Sequence, residues 1–98
     1  MHVEFEWDEN KNRINVAKHG IGFGTAARIF EGPTVDWIDD REAYGEERTV
    51  SIGMIDGIVV LVVVHVDRSG RTRIISARRA TRSERSLYEA ALRKGTDT

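Results

Sequence analysis

The residues best suited to chemistry lie in one stretch, Arg73-Ile74-Ile75-Ser76-Ala77-Arg78-Arg79-Ala80-Thr81-Arg82-Ser83-Glu84-Arg85. It begins as a strand, because Ile74, Ile75 and Ala77 suit a buried extended segment. It ends as a helix, because Thr81 followed three residues later by Glu84 is a capping box. Five arginines crowd the junction: Arg73, Arg78, Arg79, Arg82 and Arg85. A helix start already presents free backbone N–H groups and a positive dipole end. Cations placed there oppose the dipole by about 0.3–1 kcal/mol each, which is easier to understand where an anion also sits. The chemistry suggested is the binding of a phosphate. The competing account is a solvated basic face paired with Glu84 and Glu89.

Lys18-His19-Gly20 is the second candidate. A helix C-terminus welcomes cations, so capping alone accounts for the pair, but His19 can also act as an acid or base near neutral pH. Tyr88 lies two helical turns beyond Arg82. It is read either as a group that stacks on a base or donates a proton, or as packing between helix and sheet. Trp7 is assigned to the core or to a strand-to-helix corner. His2, His19 and His65 are scattered, and no pair of histidines or carboxylates has metal-ligand spacing on a helix. Gly20-Ile21-Gly22-Phe23-Gly24 follows a helix rather than a strand, which makes a nucleotide-binding loop a weak reading. No Gly-x-Ser-x-Gly nucleophile motif is present.

The elements that must position these residues follow from periodicity. Val3 to Trp7 alternates apolar and acidic, as a half-buried strand does. Asp8 caps a helix over 9–19, with Ile14 and Ala17 expected inward and Gly20 ending it. Phe23, Ala26, Ala27 and Phe30 recur at helical spacing and predict a second helix, stopped by Gly32-Pro33. Strands are expected at Val35–Ile38, Arg48–Met54, Ile58–Val66 and Arg71–Ala77, with an Asp56-Gly57 hairpin turn between the second and third. The near-continuous apolar run Ile58–Val66 suits a central strand. A last helix over Thr81–Lys94 has Leu87, Ala91 and Tyr88 as candidate inward residues. The order β-α-α-β-β-β-β-α predicts an α+β domain with a small, mainly antiparallel sheet, two N-terminal helices and a C-terminal helix.

At 98 residues the chain is read as a single domain spanning 1–98. Without cysteine it has no disulfide framework and no thiolate site. No signal peptide or membrane-spanning helix is apparent, so the expected location is cytoplasmic. The formal net charge of −1 conceals an asymmetry. Residues 1–67 hold 6 Lys/Arg and 13 Asp/Glu, and residues 68–98 hold 9 and 3. A basic last third can face a polyanion, or its arginines can pair with the acids of the first two thirds.

Three blocks together resemble the BrnT toxins of bacterial type II toxin–antitoxin systems. They are Phe5-x-Trp7-Asp8-x-x-Lys11-x-x-x-Asn15-x-x-Lys18-His19-Gly20-Ile21-x-Phe23, then Tyr44-Gly45-Glu46-x-Arg48, then Arg73 to Ala80 with Glu84 and Tyr88 beyond. The resemblance covers about Val3 to Tyr88. It implies a RelE-like fold, a small antiparallel sheet flanked by helices. It implies a ribonuclease that cuts RNA and halts translation without a cofactor. It also implies a BrnA-type antitoxin that covers the toxin in a 2:2 heterotetramer and binds operator DNA through its own ribbon-helix-helix dimer.

A metal-free endoribonuclease must activate the 2′-OH, stabilise a pentacoordinate phosphate and protonate the leaving 5′-oxygen. Arginine's planar fork suits the phosphate. Arg78 and Arg79 are the expected phosphate holders, with Arg48 or Arg82 in support and Arg73 and Arg85 as further RNA-binding residues. Lys18 or His19 is the expected general base or electrostatic helper. His19, Tyr88 or Glu84 would complete the proton transfer. This shared site requires the ends of the first helix and last strand to meet on one face of the sheet. Two other classes stand beside it: a non-catalytic basic module that grips an acidic partner or nucleic acid, and, more weakly, a metal-dependent hydrolase.

Overall fold

A computed structural model describes residues 4–39 and 45–96. The chain runs β1 (Glu4–Trp7), α1 (Glu9–His19), α2 (Phe23–Ala26), a 3₁₀ turn (Ala27–Glu31), β2 (Thr34–Asp39), β3 (Arg48–Ile55), β4 (Val59–Arg68), β5 (Arg71–Arg79) and α3 (Arg82–Thr96). The five strands form one mixed sheet in the order β1-β5-β4-β3-β2, making an α+β fold. β1 pairs parallel to β5, and the other three pairings are antiparallel. Tyr44, part of the second resemblance block, lies outside the described residues.

The turns follow local chemistry. Asp56 and Gly57 both have positive φ, 54° and 68°, the pattern of a two-residue turn matched to strand twist. Ser69 and Gly70 repeat it at 51° and 81° between β4 and β5. The central run of valines gives β4 two buried faces. Leu61 and Val63 join Phe23, Ala26, Ile29 and Ala77 in one core. Val60 and Val62 join Val50, Ile52 and Tyr88 in the other, under α3.

The second helix differs from the expected one. After one α-helical turn the chain tightens to 3₁₀ at Ala27. With three residues per turn, positions three apart align. Phe23, Ala26 and Ile29 are accordingly all buried in the same core. Gly53 on β3 makes room for this turn, since a Cβ there would stand 2.6 Å from Ile29 Cβ.

The first helix is also oriented differently. Ile14 is 64% exposed and Ala17 is exposed, whereas Asn15 is buried. β1 ends at Trp7, opposite Ile74, so β5 has no strand neighbour on that edge farther along. Asn15 fills the place of one. Its Nδ2 donates to the Ala77 carbonyl (2.8 Å) and to the Ile21 carbonyl (2.9 Å). Its Oδ1 accepts from the Ala77 N–H (3.2 Å). Buried backbone groups must find partners, and that requirement outranks an apolar face in setting the roll of α1. The expectation that Leu87 points inward also fails: it is 53% exposed, and Tyr88 is the inward residue.

Candidate functional site at the last strand and helix

β5 continues two residues beyond the expected Ala77, and this extension decides where the arginines point. Arg78 pairs with Val62 and Arg79 with Leu61, so the two side chains leave opposite faces of the sheet. Arg78 faces α3, and Arg79 faces the side where α2 and the 3₁₀ turn pack. A single face holding both Arg78 and Arg79 is not what this fold builds. Lys18 and His19 end α1 about one turn beyond Asn15, which meets the sheet at the β5 edge by bonding the Ala77 backbone.

On the α3 face, Arg78 and Glu84 form a two-pronged pair, Nη1 to Oε1 at 2.7 Å and Nη2 to Oε2 at 2.8 Å. The capping box holds Glu84 in place. Its Oε1 accepts from the Thr81 N–H at 2.9 Å, and its own N–H donates to Thr81 Oγ1 at 3.2 Å. The Arg78 guanidinium, aided by the Thr81 backbone, holds the Glu84 carboxyl at a pKa of about 2. The pair lines a cavity of about 320 Å³ with Val50, Val62 and Val64 inside it. Trp37 and Asp39 of β2 and Ser76 of β5 complete its polar and aromatic lining. Arg48 lies directly across from Asp39 in the β2–β3 register.

The other arginines divide between structural and open positions. Arg73 pairs with Glu6 of β1 at 2.8 Å, both half-buried, so it joins the two parallel strands. Here the acidic first strand and basic last strand do neutralise each other. Arg85 reaches Glu89 at 3.3 Å and donates to the Ile58 carbonyl at 3.1 Å, tying α3 to the β3–β4 hairpin. With Arg79 it lines a second cavity at that end of the sheet. Among the described residues, the exposed side chains of Arg79 and Arg82 have no ion-pair partner. Tyr88 is 2% exposed, and its hydroxyl donates to the Pro33 carbonyl at 2.8 Å. Burial raises its pKa. It fastens α3 to the segment before β2 and presents no surface to a substrate.

Two features escaped the sequence reading. Trp37 and Asp39 lie in a strand whose composition announced nothing more than extended structure. Ser51 and His65 form a buried hydrogen bond, Oγ to Nε2 at 2.7 Å, beneath the ring of Phe30. Strand alternation would have put them on one face, but their cross-strand adjacency depends on register. Trp7 lies where expected, its ring edge-on to Phe23 and its Nε1 donating to Glu9 at 3.2 Å. Among the described residues no three histidines or carboxylates gather as a metal would require, and no helix is long and apolar enough to cross a membrane.

Comparison with known proteins places this geometry in context. Residues 7–84 match the family described as "Ribonuclease toxin, BrnT, of type II toxin-antitoxin system". The fold is similar to the crystal structure of the Brucella abortus ribonuclease toxin BrnT, with a TM-score of 0.63 and 25% identity over 83% of this chain and 100% of that one. No curated protein sequence matches. The matched segment contains α1, the whole sheet from its second strand on, and the Arg78–Glu84 pair, and the chain belongs to the BrnT family of ribonuclease toxins from type II toxin–antitoxin systems.

Proposed function

We propose that the chain cuts RNA by attack of a 2′-OH on the adjacent phosphate, without a metal, in the cavity that holds Arg78 and Glu84. The observation that carries the reading is the Arg78–Glu84 pair itself, a guanidinium and an ionised carboxylate side by side at a helix start inside a cleft. Arg78 donates to the scissile phosphate and stabilises the charge that grows there, with Arg48 in support. Glu84, near pKa 2 while Arg78 grips it, is a weak base. A phosphate that draws Arg78's donors toward itself loosens that grip and raises the carboxyl's proton affinity. Glu84 then accepts the 2′-OH proton and returns it to the departing 5′-oxygen. Products would carry a 2′,3′-cyclic phosphate and a 5′-OH. Arg79, Arg82 and Arg85 guide the RNA backbone around the end of the sheet.

The physiological partner would be a BrnA-type antitoxin in a 2:2 complex that binds operator DNA through the antitoxin. The action would be cytoplasmic, and the fold a variant of the RelE-like toxins. The test is antitoxin-free protein incubated in EDTA with a defined RNA, alone and with translating ribosomes. Cyclic-phosphate ends are expected from the parent, with losses of about 100-fold or more in Arg78→Ala and Glu84→Gln. Glutamine preserves the capping box, so the second variant removes the proton acceptor without removing the helix start. Cleavage that vanishes in EDTA sinks the metal-free mechanism. RNA that binds but stays whole under both conditions supports the non-catalytic module instead.

A further inference from the structure

We infer that Trp37 is a stacking platform for a nucleobase of single-stranded RNA in the Arg78–Glu84 cavity. This rests on the reading that RNA enters that cavity. Trp37 sits on β2, directly across from Val50 of the α3-side core, so its indole belongs to the cavity's face. It is nevertheless 39% exposed. The cavity is thus bounded on one side by an open aromatic ring and on another by a guanidinium.

Those two boundaries match the two halves of a nucleotide. The phosphate is held at Arg78, and the base reaches away from it toward β2. Val62 and Val64 supply an apolar surface between them. Base–aromatic stacking tolerates any base, because each has a π-face. Asp39 and Ser76 also line the cavity and carry hydrogen-bond acceptors for the N–H groups on a base edge. A base lies against a side-chain ring only when it is free of its duplex neighbours. The substrate class is therefore unpaired RNA.

The probe is a single-stranded 2′-O-methyl oligonucleotide, which can bind but lacks the attacking hydroxyl. The chain has two tryptophans, so Trp37→Phe leaves Trp7 as the only indole. Titration should quench the parent's tryptophan emission, and the quench should disappear in Trp37→Phe. Affinity should fall about tenfold or more in Trp37→Ala and recover most of the way in Trp37→Phe. A folded Trp37→Ala protein, verified by circular dichroism, that binds as tightly as the parent overturns the inference. So does a parent whose emission is unmoved at saturation. With cleavable RNA, the Trp37→Ala effect should fall on KM more than on kcat. A parent that cleaves RNA while Trp37→Ala keeps its KM refutes stacking and leaves the ribonuclease reading intact. A parent that cleaves nothing but shows the Trp37-dependent quench supports stacking and refutes the ribonuclease reading.

Discussion

Replacing Asn15 with alanine removes three hydrogen bonds at once, two to Ala77 and one to Ile21. Asn15 is only 6% exposed, so water does not readily take over. Each bond contributes about 1 kcal/mol net, and the groups left behind, one N–H and two carbonyls, carry a further desolvation penalty. The expected loss is about 3 kcal/mol. For a domain of this size that corresponds to a fall in Tm of roughly 12–24 °C. The assay is urea unfolding followed by far-UV circular dichroism, with the slope m unchanged between variants. Ile14→Ala is the matched control, since Ile14 is 64% exposed and its loss should stay within about 0.5 kcal/mol. The contrast is decisive because helical periodicity assigns the two residues the opposite roles. A loss below about 1 kcal/mol for Asn15→Ala, or a larger one for Ile14→Ala, would refute the argument that backbone satisfaction at the β5 edge sets the roll of α1.

Two further outcomes are expected. Gly53→Ala puts a methyl 2.6 Å from Ile29 Cβ, between β3 and the 3₁₀ turn. Overpacking there should lower stability by about 1–3 kcal/mol in the same urea assay, whereas Gly32→Ala, which meets nothing within 4 Å, serves as the uncrowded comparison. The second outcome concerns pH. Burial lowers the His65 pKa in the folded state, despite the opposing pull of Asp67 and Asp36. The unfolded chain therefore binds more protons, and stability should fall as pH drops below about 6.5, the unperturbed value. Glu84 acts in a lower window: its stabilising pairing is complete above about 4.3 and is lost as pH falls toward 2. Unfolding measured between pH 8 and 5 should show a slope that flattens in His65→Gln. A slope identical in the two proteins would assign it to other groups.

Much of this protein is local and was therefore legible in its residues. The Thr81–Glu84 capping box, the Asp8 cap, the Gly20 stop and the Asp56-Gly57 turn each depend on atoms within about four residues of one another. All are present in the structure. The motif blocks carried the family, and the match over residues 7–84 bears it out. The arginine junction stood out as a candidate site because strand, cap and charge coincide within a dozen residues.

What the residues alone left undecided depends on distances between elements. Whether Arg78 and Arg79 share a face was settled by two extra residues of β5, because alternation reverses the side chain at each step. The seating of Tyr88 against Pro33 and the arrival of Trp37 and Arg78 at one cavity rest on the β2–β3–β4–β5 order. The same holds for Asn15: periodicity reads side chains, but an edge of β5 left unpaired where β1 stops recruited an amide from a helix. Local chemistry determined which groups this protein has, and the sheet's order and register decided which of them meet.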